Sequence, residues 1–123
     1  MLHIGILGAG RIAATMAQTI RRMNDSGDKG VRLFAVAARE EARAQAFARE
    51  WGVERAYASY EAMLSDPAVE LVYIATPHSH HFAQAILCLS HGKHILCEKA
   101  FTVNAQQAQE VTWEPDVHCV IFL

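Results

Sequence analysis

Two glycines and an alanine near the amino end of the chain have the spacing of a phosphate-binding turn. Gly8 and Gly10 follow the apolar run 2–7, and Ala13 lies in the helical pattern that comes next. The first glycine permits a tight turn, the second leaves room for a pyrophosphate, and the small third residue lets the helix lie close to the strand. The helix start adds amide groups and the positive end of its dipole. The spacing predicts a dinucleotide-binding turn.

Two other interpretations of this glycine pattern stay open. An ordinary βα turn would show the same residues, and methyltransferases also have a glycine-rich loop after their first strand. The helix favours the dinucleotide site, because its apolar residues are predicted to form one face behind the turn. That face consists of Ile12, Ala13, Met16, Ala17 and Ile20. We also expect Arg11 and Ile12, at the start of the helix, to contact the cofactor.

The elements that must position this turn alternate along the chain. Helices are predicted around 11–20, 44–51, 61–64 and 82–89, and strands at 2–7, 31–38, 56–57, 69–75 and 94–98. This alternation predicts an α/β fold with a Rossmann-type doubly wound parallel sheet. Ligands of such sheets bind outside the carboxyl ends of the strands. Four segments are expected to meet there: Gly8 to Gly10, Ala38-Arg39, Thr76 to His81, and Glu98-Lys99.

Composition indicates one ordinary globular domain. The 123 residues are 52% hydrophobic and 20% charged, with a net charge of -2. Basic and acidic residues alternate, as in 39–49, so no basic surface for nucleic acid is expected. No apolar run approaches the ~20 residues that cross a bilayer, and no signal sequence is recognisable. We therefore expect a cytoplasmic protein with neither nucleic-acid nor membrane partners.

Cysteines and histidines raise the question of a metal site. Cys88, Cys97 and Cys119 are odd in number and lie in apolar segments, which favours reduced core thiols. Three histidines occur at 78, 80 and 81, but no carboxylate or cysteine joins them at ligand spacing. Contacts in a loop and at a helix start are the favoured interpretation of these histidines, and no metal is predicted.

Three motifs in order resemble the glucose-fructose oxidoreductase and inositol dehydrogenase family. They are GAGRIA at 8–13, ATPHSHH at 75–81 and GKHILCEKAFTVNAQQA at 92–108, and the run 35–64 is similar to the dihydrodiol and xylose dehydrogenase branch. The resemblance covers residues 1–111, which we assign to an NAD(P)-binding Rossmann domain. It implies oxidation or reduction of a sugar, polyol or related alcohol. It also implies a second, substrate-binding domain, for which this chain is expected to be too short.

The nucleotide preference is predicted from the end of the second strand. NAD-preferring sites usually have a carboxylate there, which bonds the ribose hydroxyls and repels a 2′-phosphate. At this position in the family pattern the chain has Ala38, followed by Arg39. A small residue leaves space and a guanidinium can bind phosphate with two hydrogen bonds, so NADP is favoured over NAD. The alternative is that Arg39 is only a solvated residue at the start of the second helix.

The resemblance also assigns residues around the nicotinamide half of the cofactor. Thr76 and Pro77 match the turn beneath the nicotinamide, and His81 matches the family's histidine. His78 stands where the family often has asparagine, and we count it with the cofactor-binding residues.

Glu98 and Lys99 are the candidate catalytic pair. Partial burial at a strand end would lower the pKa of Lys99 toward the range of a proton shuttle. The resemblance implies that Lys99 hydrogen-bonds the reacting hydroxyl and that Glu98 lies beside the cofactor. Ala100 replaces the family's proline after this pair, which removes a fixed φ from the turn. An ordinary surface Glu-Lys pair is the alternative.

The carboxyl end departs from the family pattern. Residues 105–111 are predicted to begin a helix, as in the family, whereas 112–123 show no resemblance to it. Pro115 should end the helix. Residues 117–123 should form either a last strand or an apolar tail. Two functions therefore stay open: an NADP-dependent oxidoreductase represented by its cofactor domain, with little turnover alone, and a nucleotide-binding module without turnover. An uncovered apolar face would also favour a homo-oligomer.

Overall fold

The computed structural model describes residues 2–98 and 119–122. Strands and helices alternate through most of this range, as the sequence pattern predicted. The strands are β1 (Leu2–Leu7), β2 (Val31–Ala37), β3 (Arg55–Tyr57), β4 (Leu71–Ile74), β5 (His94–Glu98) and β6 (Cys119–Phe122). The helices are α1 (Arg11–Asp25), α2 (Glu41–Trp51), α3 (Tyr60–Leu64) and α4 (His78–Ser90).

The six strands form one parallel sheet in the order β3-β2-β1-β4-β5-β6. The chain runs outward from β1 to β2 and β3, and then returns to the other side of β1 to add β4. The strand order therefore reverses between β1 and β4, and ligands of open α/β sheets bind at such a switch point. This topology confirms the predicted Rossmann-type doubly wound sheet.

Helices cover the sheet on both faces, each over its own apolar core. On one face α1 and α2 pack over Ile6, Val36 and Tyr73. On the other, α3 and α4 pack over Leu7, Val72 and Ile74. Alternate residues of β1 point to opposite cores because side chains alternate along a strand. Both cores pack against the central strand β1, so the carboxyl ends of the strands have a rigid support.

The inner face of α1 is narrower than its sequence predicted. Ala13, Ala17 and Ile20 are buried, but Ile12 is 40% exposed and Met16 is only partly buried. The buried face of α1 is centred on Ala13 and Ala17, and Ile12 lies about 100° around the helix from Ala13, at the edge of that face. The prediction of one apolar face that includes Ile12 was therefore wrong at that residue.

At the carboxyl end, β6 pairs in parallel with β5, from Ile95 opposite Cys119 to Glu98 opposite Phe122. Of the two alternatives predicted for this segment, the structure has the strand. The predicted helix at 105–111 lies outside the described residues. Cys88 is buried in the core as a thiol. No helix in the described part of the chain is long and apolar enough to span a membrane.

Candidate functional site

An open cleft of about 320 Å³ lies at the switch point of the sheet. The segments that follow β1, β2 and β4 border it, together with residues from three helices. Three of the four strand ends that the sequence predicted to meet do meet here. The residues lining the cleft are Gly8, Ala9, Gly10, Ala38, Arg39, Arg43, Tyr60, Ala75, Thr76, Pro77 and His80.

Gly8 makes the turn out of β1, and the turn itself requires a glycine. Its φ is +105°, a region that residues with a side chain rarely adopt. Its amide donates a 2.8 Å hydrogen bond to the Ala37 carbonyl at the end of β2. A Cβ at Gly8 would lie 3.1 Å from the Ala75 carbonyl oxygen and 3.3 Å from Thr76 Cγ2. Gly8 therefore closes the gap between the ends of β2 and β4.

Gly10 differs, because nothing in the described part of the structure requires a glycine there. Its φ is -95°, and no heavy atom of the described residues lies within 4 Å of where its Cβ would be. Gly10 is also the N-cap of α1, where no side chain caps the helix and no acidic residue occupies the first turn. Amide groups at such a helix start are available to an anion. The open space at Gly10 faces the same region, so a ligand backbone or phosphate can approach closely.

The end of β2 makes the cleft basic. Ala38 is buried and supplies no charge, while Arg39 lines the cleft. Arg43 lies in the first turn of α2 and lines the same cleft. No acidic residue occurs among its described lining residues. Two guanidinium groups without a carboxylate favour a ligand with phosphate at this end.

The end of β4 is fixed from behind by a buried hydrogen bond. The Thr76 hydroxyl donates to Oε1 of Gln84 on α4, and both residues are buried. Pro77 is the N-cap of α4, and His80 lines the cleft from the first turn of that helix. The β4 end thus presents a short, firmly held segment to the cleft.

The structure brings six of the predicted cofactor residues into the cleft. Of the other five, two lie beside it and three have side chains outside the described part of the structure. Arg11 and Ile12 open α1 and are exposed beside the cleft. His78 and His81 lie in the first turn of α4 and Glu98 ends β5, but their side chains are outside the described part of the structure, as is all of Lys99. The six in the cleft are Gly8, Gly10, Ala38, Arg39, Thr76 and Pro77.

Three polar lining residues on helices were not assigned to the cofactor by the sequence analysis. They are Arg43, Tyr60 and His80, of which His80 lies within the predicted segment Thr76 to His81. The spacing of Arg39 and Arg43, four residues apart at the start of a helix, was the available signal for Arg43. Within the described residues no three His, Cys, Asp or Glu side chains group as a metal site.

A second polar cluster lies outside the cleft, between β3 and the loop that precedes β4. Asp66 is buried and accepts 2.6 Å hydrogen bonds at Oδ2 from Arg55 Nη1 and the Tyr57 hydroxyl. Its Oδ1 accepts a 2.9 Å hydrogen bond from the Ala68 amide. Burial acts to raise the pKa of Asp66, but these hydrogen bonds outweigh it and the pKa lies below its usual value. The cluster fixes the loop between α3 and β4.

Burial raises the pKa of Tyr57, and its hydrogen bond to Asp66 adds to this effect. Lys93, just before β5, is also buried, and desolvation lowers its pKa. None of these residues lines the cleft, and the Asp66 carboxylate and the Lys93 ammonium are hydrogen-bonded within the protein. We assign it to stability.

The parallel sheet, the glycine turn and the uncapped helix at the switch point together define a nucleotide-binding α/β domain. Residues 2–118 match the model of the GFO/IDH/MocA oxidoreductase family, described as an NAD-binding Rossmann fold. The chain belongs to this family, as its three motifs predicted.

Individual relatives agree with this assignment. A trans-1,2-dihydrobenzene-1,2-diol dehydrogenase from Sus scrofa is 42% identical over 113 residues, which are 92% of this chain and 33% of the relative. An NAD binding oxidoreductase from Klebsiella pneumoniae superposes with a TM-score of 0.87 at 32% identity, covering 98% of this chain and 34% of that one.

A 3-ketoreductase from Actinomadura kijaniata, solved in complex with NADP and TDP-benzene, superposes with a TM-score of 0.76 at 28% identity. The alignment covers 89% of this chain and 32% of that one. The chain thus spans about a third of the length of the relatives it matches.

Proposed function

We propose that the chain is the cofactor-binding part of an NADP-dependent oxidoreductase that acts on a sugar, a polyol or a dihydrodiol. The observation that carries the choice of NADP is the basic end of the cleft, where Arg39 and Arg43 follow β2 and Ala38 stands in place of a carboxylate. A carboxylate at this point would repel a 2′-phosphate, whereas guanidinium groups bind one. The 3-ketoreductase relative solved with NADP supports the same choice.

The residues present fit a dinucleotide. The space at Gly10 and the uncapped start of α1 suit the pyrophosphate, because neither is used by the protein's own packing. Arg39 and Arg43 would hold the 2′-phosphate. Thr76 and Pro77 would border the nicotinamide, and His78, His81 and Glu98 would complete that half. When bound, the nicotinamide supplies or accepts a hydride.

Lys99 and Glu98 are the proposed catalytic residues. Glu98 ends β5, two strands from the glycine turn and at the same edge of the sheet. Lys99 follows directly, so its ammonium would hydrogen-bond the reacting hydroxyl and move its proton. Glu98 would keep that ammonium oriented.

The substrate class rests on the relatives. The Sus scrofa relative is a trans-1,2-dihydrobenzene-1,2-diol dehydrogenase, and such a substrate carries adjacent secondary hydroxyls on a ring. Sugars and polyols present the same arrangement of hydroxyls. We therefore place the substrate among vicinal alcohols.

The test is calorimetric titration of the purified 123-residue chain with NADPH, NADP, NADH and NAD, beside assays of NADP reduction with xylose, inositol and a trans-dihydrodiol. Tighter binding of the NADP pair is expected, and equal or reversed affinities would overturn the choice of nucleotide. Lys99→Ala should leave binding intact. Binding with little turnover is expected both of this part of an enzyme and of the alternative, a nucleotide-binding module. Measurable NADP reduction would exclude the module, and a chain that bound neither nucleotide pair would overturn the proposal.

A further inference from the structure

Gln84 lies in the middle of α4 and outside the cleft, yet it contacts a residue that lines the cleft. Its side chain is buried, and its Oε1 accepts the hydrogen bond from the Thr76 hydroxyl. A buried amide is costly unless its hydrogen bonds are made, so its place in an apolar helix face calls for a reason. The neighbouring buried residues of α4 are Ala85, Cys88 and Leu89, which are the ordinary residues of such a face.

The Thr76 hydroxyl and methyl are carried on the same carbon. Because one χ1 angle sets both, a hydrogen bond that fixes Oγ1 also fixes Cγ2. In this structure Cγ2 lies 3.3 Å from where a Cβ of Gly8 would be, so the methyl packs against the glycine turn. The rotamer that Gln84 holds therefore places a methyl group beneath the proposed phosphate-binding turn.

We propose that Gln84 is a positioning residue for the nucleotide. It acts through Thr76 on the turn at Gly8, and so couples the orientation of α4 to the loop that leads to Gly10. This proposal rests on the proposed function, because it concerns the nucleotide of the same cleft. Gly8 is held by the Ala37 carbonyl through its amide, and the Thr76 methyl packs against it together with the Ala75 carbonyl.

The test is a double-mutant cycle with Gln84→Met and Thr76→Val, which remove the acceptor and the donor with little change in volume. Each single variant is expected to weaken NADPH binding about fivefold, the ratio that corresponds to one neutral hydrogen bond. The double variant should weaken it by the same factor and no further, since both changes remove one interaction. Independent, multiplied effects would overturn the proposal.

Leu89→Ala is the matched control, since Leu89 is buried in the same helix and lies further from the cleft. It is expected to lower the thermal midpoint while leaving the NADPH dissociation constant unchanged. If Leu89→Ala weakened binding as much as Gln84→Met does, Gln84 would have only a general structural role.

A ligand-free measurement separates this proposal from the proposed function. In Gln84→Met without nucleotide, the amide NMR signals of Gly8, Ala9 and Gly10 should shift, and in Leu89→Ala they should stay at their wild-type positions. Unshifted Gly8 to Gly10 signals in Gln84→Met would overturn the positioning role. Absence of nucleotide binding by the wild-type chain, with those signals shifted, would instead overturn the proposed function alone.

Discussion

The Lys93 ammonium donates a 2.8 Å hydrogen bond to the backbone carbonyl of Asp66 and not to its carboxylate. A second hydrogen bond of 2.7 Å goes to the Val69 carbonyl. The Asp66 carboxylate is occupied by Arg55, Tyr57 and the Ala68 amide. Lys93 thus holds the backbone of the loop before β4, while the carboxylate holds the edge strand β3.

Replacing Lys93 should destabilise the fold. Lys93→Met keeps the apolar stem but removes the ammonium donor from two buried carbonyls, of which that of Asp66 keeps a 3.1 Å hydrogen bond from the Val69 amide. The free energy of unfolding is expected to fall by about 1–3 kcal/mol. Lys29→Met is the matched control, because Lys29 donates a 2.8 Å hydrogen bond to the Asn24 carbonyl from an exposed position. Urea unfolding of both variants measures the difference. Equal losses would mean that burial of Lys93 adds nothing.

The stability contributed by Asp66 should depend on pH. Its folded-state pKa is lowered, so its contribution is complete above the unfolded value of about 3.9 and disappears as pH falls through the folded value. The gap in unfolding free energy between wild type and Asp66→Asn should therefore be constant from pH 7 to 5 and close below about pH 4. Asp25→Asn, at an exposed position, should show a small gap throughout. A gap for Asp66→Asn that persisted in acid would contradict the assignment.

Alanine at the two turn glycines should separate binding from folding. In Gly10→Ala the added methyl group meets no atom of the described residues and φ is ordinary, so the free energy of unfolding should change by less than about 1 kcal/mol. NADPH binding should weaken at least about tenfold, because the methyl group occupies the space proposed for the phosphate. Gly8→Ala should lose roughly 1–3 kcal/mol of stability, because its φ is +105° and the Ala75 carbonyl is close. Thermal melts and calorimetry on both variants give the two numbers. Unimpaired NADPH binding by Gly10→Ala would remove the phosphate from this turn.

The two cleft arginines should discriminate between the nucleotides. Arg39→Ala is expected to cost NADP on the order of 1.5–3 kcal/mol of binding free energy and to leave NAD nearly unchanged, because a charge-assisted contact to phosphate is lost. Arg43→Ala should act in the same direction. Arg49→Ala, at an exposed position in the last turn of α2 and away from the cleft, is the control and should leave both affinities as they are. Equal losses for both nucleotides would show that the arginines do not contact the 2′-phosphate.

The elements that carry a strong periodic pattern could be predicted from the sequence. β1, β2, β4 and β5 are apolar runs bounded by turn residues, and their order along the chain was enough to place Gly8, Ala38 and Thr76 at one edge of a sheet. Cleft residues on helices were harder, because the packing angle of a helix decides which of its side chains reach the cleft. Tyr60 and His80 have no local signal of that kind.

Burial also escaped prediction where the neighbours decide it. Asp66 and Lys93 look like ordinary surface residues beside a turn, and only the meeting of Arg55, Tyr57 and two backbone carbonyls makes their burial possible. Ile12 shows the converse, since this apolar residue in a periodic pattern is exposed because the helix packs on the sheet through its neighbour Ala13. Contacts between residues far apart in the chain cannot be predicted from a short window of sequence.

The central position of β1 has a consequence for biosynthesis. β1 is synthesised before both of its neighbours in the sheet, because β2 and β4 end only at Ala37 and Ile74. The His3 amide, for example, bonds a carboxylate 67 residues later in the sequence. One side of β1 therefore stays unpaired until β4 has been translated, well after β2. That side is expected to be bound by chaperones during synthesis, and deletion of β1 would remove the middle of the sheet together with the strand that leads into the turn at Gly8.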